Sequence, residues 1–255
     1  MIFFNFHIDI LIFNMKVQVF SDLHLEHYKS YPKLQSYCDI LILNGDIGNY
    51  KKKNFKNFIT YCSENWKHVI FVLGNHEYYK FNVKLANQLY TKFFETFENV
   101  YLLIDDSITI DNYVFIGSTY WTKTTSEIQY TINDFTNIKR FTYSQYIELH
   151  KQNENFIKTS INDNKTSDKK IILVTHFPPY YFDTKNKYKS TPQYIKNYFG
   201  NSFPIELLKH IDIWIFGHTH SSEQFITHDT QFISNQLGYS DDLDKDFDQK
   251  GIYDI

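Results

Sequence analysis

At 255 residues the chain is long enough to bury one large core, and its 42% hydrophobic and 22% charged content argues against a disordered or membrane-spanning class. A net charge of -3 excludes a globally basic surface, so any nucleic-acid contact would need a local patch. Only Cys38 and Cys62 are present, without a paired-thiol motif, which excludes a thiolate metal centre and makes a reducing, cytoplasmic setting the expectation.

Phe (24) and Tyr (21) abound while Gly (8) and Pro (5) are scarce, and Arg140 and Ala86 are alone of their kind. Such usage follows AT-rich codons, so lysine and tyrosine clusters must be discounted before they are read as function.

Residues 1–14 are apolar but hold His7 and Asp9, with no basic leader or small-residue cleavage site, and they are too short to span a bilayer. They are expected to be an appended tail or an upstream start ahead of Met15, with a membrane-touching anchor as the weaker reading. Residues 15–255 are expected to form one domain, with no stable membrane insertion.

Short continuous apolar runs at 17–20, 40–43, 69–73, 171–174 and 213–216 predict strands buried on both faces. Helices are predicted around 55–66, 83–97 and 143–161, the last opened by a capping box of Thr142 and Gln145. Shorter strands are predicted at 100–104, 108–110 and 114–116, the last two joined by a turn at Asp111-Asn112. A second hairpin is expected from 224–226 and 231–233 around Asp229-Thr230. Residues 118–138 and 183–203, the latter with Lys185, Lys187, Lys189 and Pro192, read as loops. The acidic stretch 241–248 reads as a mobile end. Strands alternating with helices and then hairpins predict an α/β fold with mixed sheets.

Each long apolar run ends in polar residues: Ser21-Asp22-Leu23-His24, Asn44-Gly45-Asp46, Gly74-Asn75-His76-Glu77, Thr175-His176 and Gly217-His218-Thr219-His220. In open α/β sheets the functional crevice lies beyond the carboxyl ends of strands, so these groups can converge. Extended backbone would aim Asp22 with His24 and His218 with His220. Gly45, Gly74 and Gly217 stand directly before such motifs, where close backbone approach is needed. Carboxylate, imidazole and amide oxygens without thiolate suit manganese, iron or zinc. Seven donors exceed one ion, and two divalent cations sharing a carboxylate would clamp a phosphate and activate water. His7, His27, His68, His150, His210 and His228 lack this setting and are read as ordinary core or surface residues.

In this order the motifs resemble the calcineurin-like metallophosphoesterase superfamily, over Asp22 to His220. The resemblance implies a four-layer α/β/β/α sandwich with two central mixed sheets and a dimetal site at one end. It implies one metal on Asp22, His24 and His220, the other on Asn75, His176 and His218, and Asp46 bridging. A bridging hydroxide would be the nucleophile and His76 the general acid, with Glu77 either orienting that imidazole or helping to hold its proton, against a plain surface or capping role.

Ser21-Asp-Leu-His-Leu-Glu26, Gly117-Ser-Thr-Tyr-Trp121, Asn133-Asp-Phe135 and Thr175-His-Phe-Pro-Pro179 are more narrowly similar to a compact bacterial-type branch. Where those relatives have Asn-Pro-x-Gly-Tyr, this chain has Asn235-Gln236-Leu237-Gly238-Tyr239, which puts the local turn in question. Gly45-Asp46 continues Ile47-Gly48-Asn49, unlike protein serine/threonine phosphatases, and little chain remains for a separate DNA-binding region. A small phosphodiester is therefore the expected substrate. The alternatives are a phosphomonoester or phosphoprotein, a nucleic acid, and a non-catalytic scaffold that binds a protein partner. Lys51-Lys-Lys53 could reach substrate phosphate, against a solvated loop; Arg140 could clamp one, against a surface ion pair. Trp121 and Tyr180-Tyr181 could stack on a base, against packing.

Overall fold

A computed structural model describes residues 15–182 and 190–255. The extension predicted at 1–14, and Lys185, Lys187 and Lys189 of the predicted 183–203 loop, lie outside the described residues.

Strand alternation sets the layers. In β1 (Lys16–Phe20), β2 (Ile40–Asn44) and β3 (His68–Val72), Val17, Val19, Ile40, Ile42, Ile70 and Val72 face one way. Phe20, Leu41, Leu43, Val69 and Phe71 face the other, so both surfaces of the sheet must be covered. These strands run parallel with β4 (Val100–Leu103) in the order β1-β2-β3-β4.

The second sheet is built from β5 (Asp106–Ile110), β6 (Tyr113–Ser118), β7 (Lys170–Thr175), β8 (Ile213–Ile215), β9 (Glu223–Thr227) and β10 (Thr230–Ser234). Its order is β5-β6-β7-β8-β10-β9, with the four central strands parallel and the edges antiparallel. Phe115, Ile172, Val174, Ile213, Ile215 and Ile233 meet the inward residues of the first sheet. Each such side chain contributes roughly 1.5–3 kcal/mol by burial.

Helices close the outer faces. Phe55, Phe58, Ile59 and Cys62 of α1 (Lys53–Asn65) and Ala86, Tyr90 and Phe94 of α2 (Val83–Phe94) lie against the first sheet. A short α3 (Asp134–Asn137) precedes α4 (Tyr143–Asn164), whose Ile157 and Ile161 cover the second sheet beside Trp214 and Phe232. The capping box is present, with Gln145 N–H donating to Thr142 Oγ1 and Thr142 N–H to Gln145 Oε1. Helix, two mixed sheets and helix make the expected four layers.

Three local expectations are corrected. The β9–β10 turn falls on His228-Asp229, both at positive φ, because Thr230 already pairs with Thr227 and its buried hydroxyl donates to the Leu208 carbonyl. The stretch 118–138 contains a 3-10 turn at Ser126–Tyr130 as well as α3. The acidic end is partly ordered: β11 (Gly238–Tyr239) pairs with β12 (Asp242–Leu243), and β13 (Ile252–Asp254) then adds antiparallel to β1.

Candidate metal centre

Five parallel strands, β1, β2 and β3 in one sheet and β7 and β8 in the other, deliver their following residues to one place. Asp22, His24, Asp46, Asn75, His176 and His218 are buried there, and His220 is partly so. The convergence does not come from extended backbone. Asp22, His24, Asp46, His218 and His220 have φ of 55, 46, 53, 72 and 49°, so the chain coils left-handed off each strand end. Asp and His tolerate this better than most residues, at a cost on the order of 1 kcal/mol each. Cross-loop bonds hold the coils: Asp22 N–H donates to the Gly45 carbonyl, and His24 N–H to that of Asp46. Gly45, at φ +94°, also passes so near His176 that a Cβ would lie 2.4 Å from Nδ1.

The donor atoms fall into two groups, Asp22 with His24 and His220, and Asp46 with His176 and His218, each spanning no more than 4.8 Å. Hydrogen bonding fixes which ring nitrogens face inward. His176 Nδ1 donates to the Asn44 carbonyl at 3.1 Å, leaving Nε2 toward Asn75 Oδ1 at 3.0 Å and Asp46 Oδ1 at 3.5 Å. Asn75 spends its NH2 on Asp134 and Tyr198, so its oxygen is the inward atom. His24 Nδ1 donates to Glu26, turning Nε2 toward His220 Nε2 at 3.0 Å. Among the described residues, buried His218 Nε2 has no hydrogen-bond partner. Imidazole nitrogens and carboxylate and amide oxygens thus converge, an arrangement that a positive charge between them satisfies. The donor set fits divalent cations.

Asp46 stands between the groups, with Oδ1 near His176 and Oδ2 4.0 Å from His24 Nε2. Burial opposes its ionisation, but His176 and His76 outweigh that and hold its carboxyl well below the usual range. Burial pushes His24 and His218 down, keeping them neutral as ligation requires. His176 is also buried, yet Asp46 raises it to about 9, the same demand for positive charge between the two.

Glu77 does not orient His76. Its carboxylate accepts from the backbone N–H groups of Asp46, Ile47, Gly48 and Gly74 at 2.7–3.0 Å, bracing the two loops that carry Asp46 and Asn75. The imidazole is held by Glu26, whose Oε1 accepts from His76 Nδ1 at 2.9 Å and from His24 Nδ1 at 3.1 Å. His76 Nε2 lies 3.0 Å from the Tyr239 hydroxyl. Burial lowers the His76 pKa, but Asp46 and Glu26 outweigh it and raise it to about 9.

Three further supports were not assigned from sequence. Asp134 accepts from Asn75, Tyr79 and Tyr198, fixing the Asn75 amide. Glu26 is the third. Gln236, where the resembling branch has proline, accepts from His220 N–H at 2.6 Å and donates to Thr219 Oγ1 and the Ser221 carbonyl. The substitution thus ties down the loop of His218 and His220. The signal available was placement: Glu26 and Asp134 fall inside segments that carry the branch resemblance, and Gln236 marks the one departure from it.

Two cavities open at the centre and share His76, Tyr79, Asn133 and Tyr239. One, of about 280 Å³, reaches Asp46, Asn75, His218 and His220. The other, of about 850 Å³, extends past His76 to Asn49, Lys51, Lys52 and Lys80. Arg140 is exposed at φ 58° and lines neither. Trp121 is buried against Tyr78, Phe141 and Phe177, and the Tyr180 hydroxyl donates to the Phe203 carbonyl, so both take the packing alternative. His150 is a core residue donating to the Trp121 carbonyl.

Two mixed sheets between helices, with Asp, Asn and His side chains gathered at the strand ends, define a metallophosphoesterase fold with a group suited to metal. Residues 15–222 match the calcineurin-like phosphoesterase family, and the chain belongs to it. An uncharacterized protein of Acanthamoeba polyphaga mimivirus is 31% identical, over 86% of this chain and 90% of its own length. The phosphopantetheinyl hydrolase of Mycobacterium tuberculosis has a similar structure, with TM-score 0.70, 14% identity, and 89% and 90% of the two chains covered. A dimetal phosphatase of Danio rerio aligns with TM-score 0.50 at 10% identity, covering 88% and 87%. Among the described residues no helix is long and apolar enough to cross a membrane.

Proposed function

We propose that residues 15–255 act as one catalytic unit that hydrolyses a small phosphodiester with two divalent cations. Asp22, His24 and His220 would hold one, Asn75, His176 and His218 the other, and Asp46 would serve both. The observation that carries this reading is the division of the Asp46 carboxylate, one oxygen toward each donor group. Manganese is the expected cation, with iron or zinc as alternatives, since the donors are imidazole and oxygen without thiolate. Free Cys38 and Cys62 fit a cytoplasmic setting.

When bound, such a pair supplies positive charge to the phosphate and lowers the pKa of water at the site. The remaining work belongs to the chain. His76, anchored by Glu26 at Nδ1, presents Nε2 to the junction of the two cavities, where it would protonate the departing oxygen. Its raised pKa keeps that proton in place at neutral pH, and cations beside it act in the opposite direction, toward a value at which the proton can be given up. A diester is favoured over a monoester because two cavities meet at this junction, giving each substituent on phosphorus a place.

Mn²⁺-loaded protein should hydrolyse bis(4-nitrophenyl) phosphate faster than 4-nitrophenyl phosphate. His76→Ala should lower kcat about 100-fold or more while metal content stays at two ions. Metal and rate falling together would remove His76 from the acid role.

A further inference from the structure

The larger cavity gathers three lysines on its wall. Lys51, Lys52 and Lys80 line it, and among the described residues none of them forms an ion pair. The Lys51 ammonium lies over the Phe81 ring at 4.9 Å, and Lys80 donates to the Asn137 side-chain oxygen at 3.1 Å, a neutral acceptor. The first turn of α1, beside Lys52, offers no acidic residue. What distinguishes these three lysines is their place, on one wall of a cavity that opens beside His76.

Two acids also line the cavity. Glu26 is committed to His24 and His76, and Asp241 sits on the stretch that follows Tyr239 and Ser240. With Glu26 committed and Asp241 supplying one negative charge, three lysines leave this wall net positive.

His76 lines both cavities, but the candidate ligands Asp46, Asn75, His218 and His220 line only the smaller, so an oxygen leaving away from them departs toward the larger. Hydrolysis forms one P–O bond from water and breaks another, and the oxygen that leaves takes its proton at His76. Chain continuing past His76 into the second cavity is then the leaving group. We propose that this cavity is the leaving-group subsite and that Lys51, Lys52 and Lys80 select a leaving group bearing a second phosphate. This rests on the phosphodiesterase reading above and narrows its substrate class.

Calorimetric binding of thymidine 3′,5′-bisphosphate, thymidine 3′-phosphate and thymidine 5′-phosphate to Mn²⁺-loaded protein tests the subsite without turnover. The bisphosphate should bind about tenfold more tightly than either monophosphate, with the gap narrowing as salt rises. In the triple variant Lys51→Ala/Lys52→Ala/Lys80→Ala the affinity ratio should fall to near one. Equal affinities in the native protein, or a ratio that survives in the variant, overturn the proposal. Thymidine dinucleotide bearing an added terminal phosphate at either end then assigns the side. The isomer with raised kcat/KM must release its added phosphate on the freed alcohol; acceleration with that phosphate on the retained half overturns the leaving-group assignment. Failure to cleave bis(4-nitrophenyl) phosphate would defeat the phosphoesterase reading, while the binding contrast would still decide the anion subsite.

Discussion

Glu77 shows how much of the centre depends on a side chain that need not touch a metal. Its two oxygens satisfy four backbone donors in a fully buried setting, so its replacement strands those amides. Burial and Asp46 push its pKa up to about 8 against the pull of those donors, so the amides act as the counterweight. Glu77→Gln, which turns a donor toward donors, should cost about 2–3 kcal/mol, read as a lowered denaturation midpoint together with reduced metal content. Unchanged stability and metal content would show that the brace is dispensable. Candidate ligands were readable in the sequence because each followed a strand whose own pattern was plain. Glu26, Asp134 and Gln236 were not, since the partners that give them meaning, His76, Asn75 and His220, lie in distant segments.

Elements defined by local chemistry were the most legible. Thr142 and Gln145 announced the start of α4, and Thr142→Ala should cost about 1 kcal/mol, measurable by chemical denaturation; a change near zero would mean that the cap bond is offset by water. Asp111-Asn112 likewise gave the β5–β6 turn, with Asp111 at φ 51°. The β9–β10 turn slipped by one position because cross-strand pairing of Thr230, invisible to local pattern, decided the register. The left-handed coils at the strand ends were hidden for a related reason: they are imposed by what they reach. Gly74 makes that reach possible, for a Cβ there would lie 2.3 Å from Asp46 Oδ1. Gly74→Ala should therefore leave the circular dichroism spectrum near native while metal binding falls; full metal occupancy would show that the loop yields.

At the scale of the whole molecule the candidate centre joins the two sheets, since Asp22, Asp46 and Asn75 come from one and His176, His218 and His220 from the other. Cations bound there would tie the sheets together, and a ligand at 100 times its Kd contributes about 2.7 kcal/mol. Chelation should then lower Tm by roughly 5–10 °C, restored by Mn²⁺; an unmoved Tm would separate metal binding from stability. The layered architecture followed from the buried strand runs, but β13 did not, because three residues carry too little pattern and their place is set by pairing Lys16 with Asp254. That pairing has a consequence for biogenesis. During synthesis the strand that pairs with the outer edge of β1 is made more than two hundred residues after it. Through that interval the nascent chain presents an unsealed edge to its neighbours on the polysome, so shielding by chaperones or rapid translation matters most before the C-terminal strand arrives.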